Sequence, residues 1–312
     1  MIVLEGLRRE VRALAFGHDG RELVAGGGYE KPLEIWDTTA GTVHRAFGQL
    51  TTSAPDPLAV NPRLGWKYAS TGYGKFNAQS PDGVWFPVDE LGPKVYGQAV
   101  AFAVRSDGTR VVVGYGHDCV IAAFEQRKNQ KPRQLWHRQT DPTDKSGLLR
   151  VRGLAYFPAG DRFASLELTY RTGGTSRFTI RGDATGDVLT TVPVPSSEPT
   201  QIRASPDGSA VVVRCGQVFN VWDATDFARP PVRVANDNRK HFTCVAFHPS
   251  GRFLAATSRD ATVKLFDART WTVARTFTWD VGKLHSVCFS PDGTRAAVGS
   301  ATGQIVVWDV DV

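Results

Sequence analysis

Histidines, cysteines, serines and carboxylates are where chemistry would start, and in this chain none is spaced for it. The seven histidines form neither His-x-x-x-His nor His-Glu-x-x-His, the spacings that set two imidazoles on one helical face for zinc. Cys119, Cys215, Cys244 and Cys288 make no Cys-x-x-Cys pair and read as small buried thiols. Gly-x-Ser-x-Gly is absent, and Gly26-Gly27-Gly28 leads into no helix, so it reads as a turn rather than a phosphate cradle. Carboxylates do recur, in two fixed settings. Asp-Gly pairs belong to hairpin turns, where glycine takes the left-handed conformation. Asp37, Asp223, Asp267 and Asp309 each follow an aromatic residue at the end of a β-rich run. Both are expected to make turns, not to move protons, so no catalytic residue, metal site or cofactor is expected.

The elements that carry these turns are clearest in residues 241–277, HFTCVAFHPSGRFLAATSRDATVKLFDARTWTVARTF. This stretch predicts four short strands, Thr243–Phe247, Arg252–Thr257, Thr262–Phe266 and Thr272–Phe277, rich in Val, Phe, Thr and Leu. Proline and glycine fall only between them. A four-stranded unit of this size has two apolar faces and can bury neither alone, so it requires copies of itself. The copies are present. The turn after the first strand recurs at Gly20, Gly65, Gly108, Gly160, Gly208, Gly251 and Gly293, 42 to 52 residues apart. A third strand ending in aromatic-Asp recurs as Trp36-Asp37, Trp222-Asp223, Phe266-Asp267 and Trp308-Asp309, with Phe124-Glu125 close to it. Ser80-Pro81-Asp82-Gly83 lies only 18 residues after Gly65. That is too few for four strands, so it reads as an insertion between the second and third strands of the second copy, whose loop is placed at 72–83 and whose outer strand is placed near Lys94–Tyr96.

Period, turn and Trp-Asp together resemble the WD-repeat family over the whole length. The resemblance implies an all-β, seven-bladed β-propeller of four-stranded antiparallel blades, a single domain over 1–312. Ile2–Glu5 precedes the first complete blade and the last copy lacks a fourth strand, so the N-terminal strand is expected to complete the last blade and cover its edge; such closure is expected of natural ends. The family's hydrogen-bonded set (third-strand Trp, second-strand Ser/Thr, loop His, turn Asp) looks eroded. Asp260 sits in the matching turn near Thr257 and Ser258, Phe266 replaces the Trp, and His241 is the candidate for the histidine. Blade 4 has Arg181-Gly182-Asp183 where Trp-Asp is expected.

What remains is surface. Four residues before each first-strand anchor lie Arg12, Asp56, Gln98, Arg152, Thr200, Thr243 and His285, all polar or charged. In a propeller these positions would circle one channel mouth, a face on which WD-repeat proteins commonly dock partners. Arg12, Arg152 and His285 would anchor an acidic or carbonyl-rich partner, with Tyr73, Phe76, Tyr170 and Trp279 adding apolar contact. The bland alternative is that strand starts are simply solvated. Net charge is +6, and Arg127, Lys128, Lys131 and Arg133 cluster on one turn. A sequence-independent grip on nucleic acid takes on the order of 6–10 phosphate contacts, so a solvated surface is the better reading of this charge. No apolar run approaches the roughly 18–20 residues that span a bilayer, and no secretory signal opens the chain; the expectation is a cytoplasmic protein, monomeric or one subunit of an assembly. Three functions stay open: a non-catalytic platform for a protein or peptide partner, a nucleic-acid binder using the basic turn, and a propeller hydrolase or lactonase.

Overall fold

The computed structural model describes residues 1–5, 10–27, 33–47, 58–72, 75–88, 98–116, 119–141, 149–169, 175–196 and 198–310. Among them every regular element is a strand, and the strands form seven four-stranded antiparallel sheets. Blades 1 to 7 span 13–47, 58–88, 99–139, 149–194, 201–235, 242–278 and 284–309, and Ile2–Glu5 supplies the fourth strand of blade 7. There Ile2 pairs with Val307 and Glu5 with Gln304. The seven-bladed all-β architecture and its N-terminal closure are thus as the sequence predicts. Strand ends in blade 6 fall within one residue of expectation: Phe242–Phe247, Phe253–Ser258, Thr262–Asp267 and Val273–Thr278.

Burial explains the composition of each strand. In blade 6 the second strand is buried at every position and the third at all but its ends, whereas the fourth is almost wholly exposed. Strands covered on both faces read as apolar runs instead of alternating. Small residues at the centre of the second strand, Ala255 and Ala256, are fully buried and let a neighbouring sheet approach closely. The first-strand turn is held by backbone: the Gly251 N–H donates to His248 O and the Gly293 N–H to Ser290 O, both at 2.9 Å. Both glycines have positive φ, 74° and 75°.

Blade 2 departs from expectation. Its strands are Leu58–Val60, Lys67–Gly72, Lys75–Gln79 and Trp85–Val88. The second-to-third connection is therefore short, and Ser80-Gly83 joins the third strand to the fourth. The Gly83 N–H donates to Ser80 O at 2.9 Å and Gly83 has φ 87°, the same local turn as in the first hairpins. Ser-Pro-Asp-Gly encodes a turn but not its place in the blade, which is why it misled. Residues 94–96 lie outside the described residues; the fourth strand is at Trp85–Val88.

Two compact units are formed, residues 1–53 with 205–312, and residues 54–204. Within the first, Leu4, Val11, Leu23, Trp36, Ile305 and Val307 pack one core between blades 7 and 1, and Phe253, Leu265, Val298 and Trp308 another between blades 6 and 7. Within the second, Tyr68, Phe76, Phe102 and Phe124 centre the core of blades 2 and 3. Polar links also cross blades there. The Asp183 carboxylate, nearly buried, accepts from Arg105 at 2.8 Å and from Tyr156 at 2.6 Å, and pairs with Arg110. Its carbonyl accepts from Trp136 Nε1 at 3.1 Å.

Leu4 is 2% exposed, so Leu4→Ala should lower unfolding free energy by about 2–5 kcal/mol in urea denaturation. Asp183→Ala removes the carboxylate that Arg110 and Tyr156 share, while Arg105 keeps Asp107, and should cost about 1–3 kcal/mol by the same measurement.

Candidate functional site

The strand starts are built on a repeated irregularity. The register of the first hairpin shifts between Val151 and Gly153, between Phe242 and Cys244, and between Leu284 and Ser286. Arg152, Thr243 and His285 are the extra residues at these bulges, left out of the ladder and re-aimed. Arg12 directly precedes its strand, Ala13–Phe16, its N–H donating to Gly26 O at 2.9 Å; Thr200 likewise precedes Gln201–Ala204. In blade 3 the bulge falls between Ala99 and Ala101, so the equivalent residue is half-buried Val100, not Gln98. The turn there begins at Arg105, whose N–H meets Arg110 O as Phe157 meets Arg162 O. This makes Val104 the anchor, two residues beyond Phe102. Asp56 lies outside the described residues.

Within the first unit, Arg12 and His285 come together over a carboxylate that sequence reasoning missed. Glu10 Oε1 accepts from Arg12 Nε at 2.7 Å, and Glu10 Oε2 lies 3.4 Å from His285 Nε2. Burial holds the His285 imidazole below its ordinary pKa. Glu10 opposes that shift, while the charges of Arg12, Arg259 and Lys283 add to it. Arg259 sits in the second-to-third turn of blade 6 and Lys283 just before the first strand of blade 7; both are exposed. Neither position belongs to the first-strand register, so spacing offered no signal for them. Thr243 is engaged with its own blade, donating to Thr257 Oγ1 at 2.8 Å. Arg152, in the second unit, is half-buried beside Gly153, where a Cβ would lie 3.1 Å from Ile202 Cγ2.

Other expected features take different roles. Phe76 is fully buried, edge-on to Phe102 and Phe124, and is no surface aromatic. Trp279 stacks on Phe277 and tilts against Trp308. Tyr73 and Tyr170 lie outside the described residues. In the basic turn, Arg127 and Arg133 are both paired with Glu125. The turn aspartates accept backbone N–H groups as expected: Asp37 Oδ1 takes those of Thr39 and Ala40 at 2.7 and 2.8 Å. These bonds hold Asp37 below the usual carboxylate range. A cleft of about 760 Å³ between the first-strand turns of blades 5 and 6 is lined by Asp207, His248, Arg252 and Arg269. His248 is committed on both nitrogens, to Ser250 Oγ at 2.7 Å and Gly293 O at 3.0 Å. Among the described residues no group of three or more His, Cys, Asp or Glu could hold a metal ion.

The family described as WD domain, G-beta repeat matches residues 231–267 and 271–309. Those residues carry two WD repeats. Each matched repeat starts at the outer strand of one blade and ends with the third strand of the next, one strand out of phase with the sheets. Target of rapamycin complex subunit LST8 of Mus musculus is 24% identical over 121 residues, 38% of this chain and 37% of that protein. U3 small nucleolar RNA-associated protein 15 of Schizosaccharomyces pombe is 26% identical over 98 residues, 31% of this chain and 20% of its own length. Transcription initiation factor TFIID subunit 5 of Caenorhabditis elegans is 29% identical over 80 residues, 26% of this chain and 12% of its own. The alignments thus span well under half of each relative.

The WD-repeat hydrogen-bonded set is present in altered form in blade 6. Asn236, not His241, takes the histidine's place: its Nδ2 donates to Ser258 Oγ at 3.0 Å, and its Oδ1 accepts from buried Lys264 at 2.6 Å. Lys264 also pairs with Asp237, and Asp260 is held by Asn238 and Thr262. His241 contributes its carbonyl, which accepts from Ser258 Oγ.

Because the folded chain binds the His285 proton less readily than the unfolded chain, this group's stabilising contribution is full above the ordinary imidazole range and lost as pH falls through the lowered pKa. An NMR titration should place the His285 midpoint below ~6.5. Glu10→Gln should move it lower still, since Glu10 favours the imidazolium; an upward move would contradict the geometry.

Proposed function

We propose that this WD-repeat chain is a non-catalytic interaction platform, holding a protein or peptide partner over the first-strand starts. The observation that carries the reading is the corner of blades 6, 7 and 1, where the charges of Arg12, Arg259 and Lys283 act on His285 and Glu10 is, among the described residues, the one carboxylate in contact. Arginine at such a position is the side chain that most often dominates an interface.

The chemistry elsewhere supports binding over catalysis. A general base needs a nitrogen or carboxylate free to take a proton near neutral pH. His248 is committed on both sides, and Asp37, Asp223, Asp267 and Asp292 are all held low by hydrogen bonds in their own turns. Two relatives are named as subunits of complexes, which favours the same role here, in an assembly with protein partners. Cytoplasmic placement is part of the proposal; among the described residues no helix is long and apolar enough to cross a membrane.

Affinity capture from native lysate tests the platform, comparing the natural chain with Arg12→Glu combined with Arg152→Glu and matching their thermal melts. Partners held by the natural chain should be lost from the double variant. An unchanged partner set would remove this face from consideration.

A further inference from the structure

We propose that the corner of blades 6, 7 and 1 is a receptor for a carboxylate-rich segment of a partner, and that Glu10 occupies part of that receptor as an internal competitor. The proposal rests on the platform reading above and names the chemistry of its occupant.

Three cations reach this corner from three separate elements. Arg12 lies at the entry to blade 1, Arg259 on a turn of blade 6 and Lys283 at the entry to blade 7. All three are near enough to His285 to disfavour its protonation. Glu10 shows which group the corner accepts. One oxygen takes the Arg12 guanidinium at 2.6 and 2.7 Å, and the other faces the imidazole at 3.4 Å. A charge-assisted pair of this kind has short, oriented bonds. Glu10 satisfies Arg12 and leaves Arg259 and Lys283 exposed, neither with an ion-pair partner among the described residues. Partner carboxylates can pair with Arg259 or Lys283 while Glu10 stays in place, and another can replace Glu10 at Arg12. A run of acidic side chains therefore fits better than a single anion.

Nucleic acid fits less well. Among the described residues, three cations and one fixed carboxylate fall short of the roughly 6–10 phosphate contacts of a sequence-independent grip. The corner also offers an imidazole held neutral at physiological pH, able to donate one N–H to a carboxylate but adding no charge.

The test uses the purified full chain and a fluorescein-labelled hexaglutamate peptide, read by anisotropy at low salt, where surface charges are least screened. Glu10→Gln, which keeps the side chain's size, should tighten binding about 3- to 10-fold. Arg259→Ala combined with Lys283→Ala should weaken it at least ~10-fold. Arg233→Ala, exposed on the outer strand of blade 5, should leave it unchanged. Equal weakening by Arg233→Ala, or no gain from Glu10→Gln, would overturn the receptor and leave only general attraction to a basic protein. Tighter binding of a short oligothymidylate through the same residues would overturn it in favour of phosphate. Hexaglutamate failing while lysate partners still depend on Arg12 would sink the carboxylate reading and keep the platform. Hexaglutamate binding with no partner captured would do the reverse.

Discussion

A blade has two apolar faces that need neighbours, and the third strand of blade 7 needs an outer partner; the structure follows from supplying both. In blades 6 and 7 the cover is mutual: Phe253 and Leu265 from one blade share a core with Val298 and Trp308 from the next. The open edge is handled by phase. Since each repeat runs from the outer strand of one blade through the third strand of the following one, consecutive sheets are stitched by the chain itself. Blade 7 then takes its outer strand from Ile2–Glu5, and Leu4 carries that strand into the core shared with blade 1. Backbone pairing hides the edge, while burial of one leucine holds the strand in register.

Close packing of blades forces a second solution, for polar groups. The residue just after the aromatic-Asp position repeatedly receives a hydrogen bond from the preceding blade. Arg295 donates to Thr38, Tyr68 to Gln126, and Arg105 and Arg110 to Asp183. Blade 4, which lacks Trp-Asp, goes further. Arg181 stands where tryptophan is expected, 3% exposed, and donates to Ser165, Thr140 O, Gly186 O and Glu167. Burying a guanidinium and a carboxylate is costly unless every donor finds an acceptor, and here several do. The missing dipeptide marks a different way of fixing the same position, not a weaker blade.

The cationic corner obeys the opposite logic. Its members sit where pairing ends, on a turn and at strand entries, so their heads stay hydrated while the strands behind them are rigid. Arg259 and Lys283 keep most of their hydration, whereas Arg12 has exchanged part of its own for Glu10.

Repetition made most of the fold legible in advance. Turn glycines, apolar runs and aromatic-Asp ends recur at one period, and each encodes a local conformation that depends on a few neighbouring residues. Blade count, strand limits in blade 6 and closure by Ile2–Glu5 all follow from such signals. Position within a blade is less local. Ser80-Gly83 makes the same turn at a different corner of blade 2, and an anchor misplaced by two residues made Gln98 stand in for Val100. Outside blade 2, the sequence alone determined which segments are strands, and it determined how many sheets they make, since backbone conformation and burial are written in neighbouring residues. Only the tertiary structure decided that Glu10 bridges Arg12 and His285, that Asn236 replaces a histidine and that Arg259 and Lys283 share their corner. Apart from Glu10 and Arg12, those contacts join segments far apart along the chain, and side-chain charge acts through space, with no period along the chain to announce it.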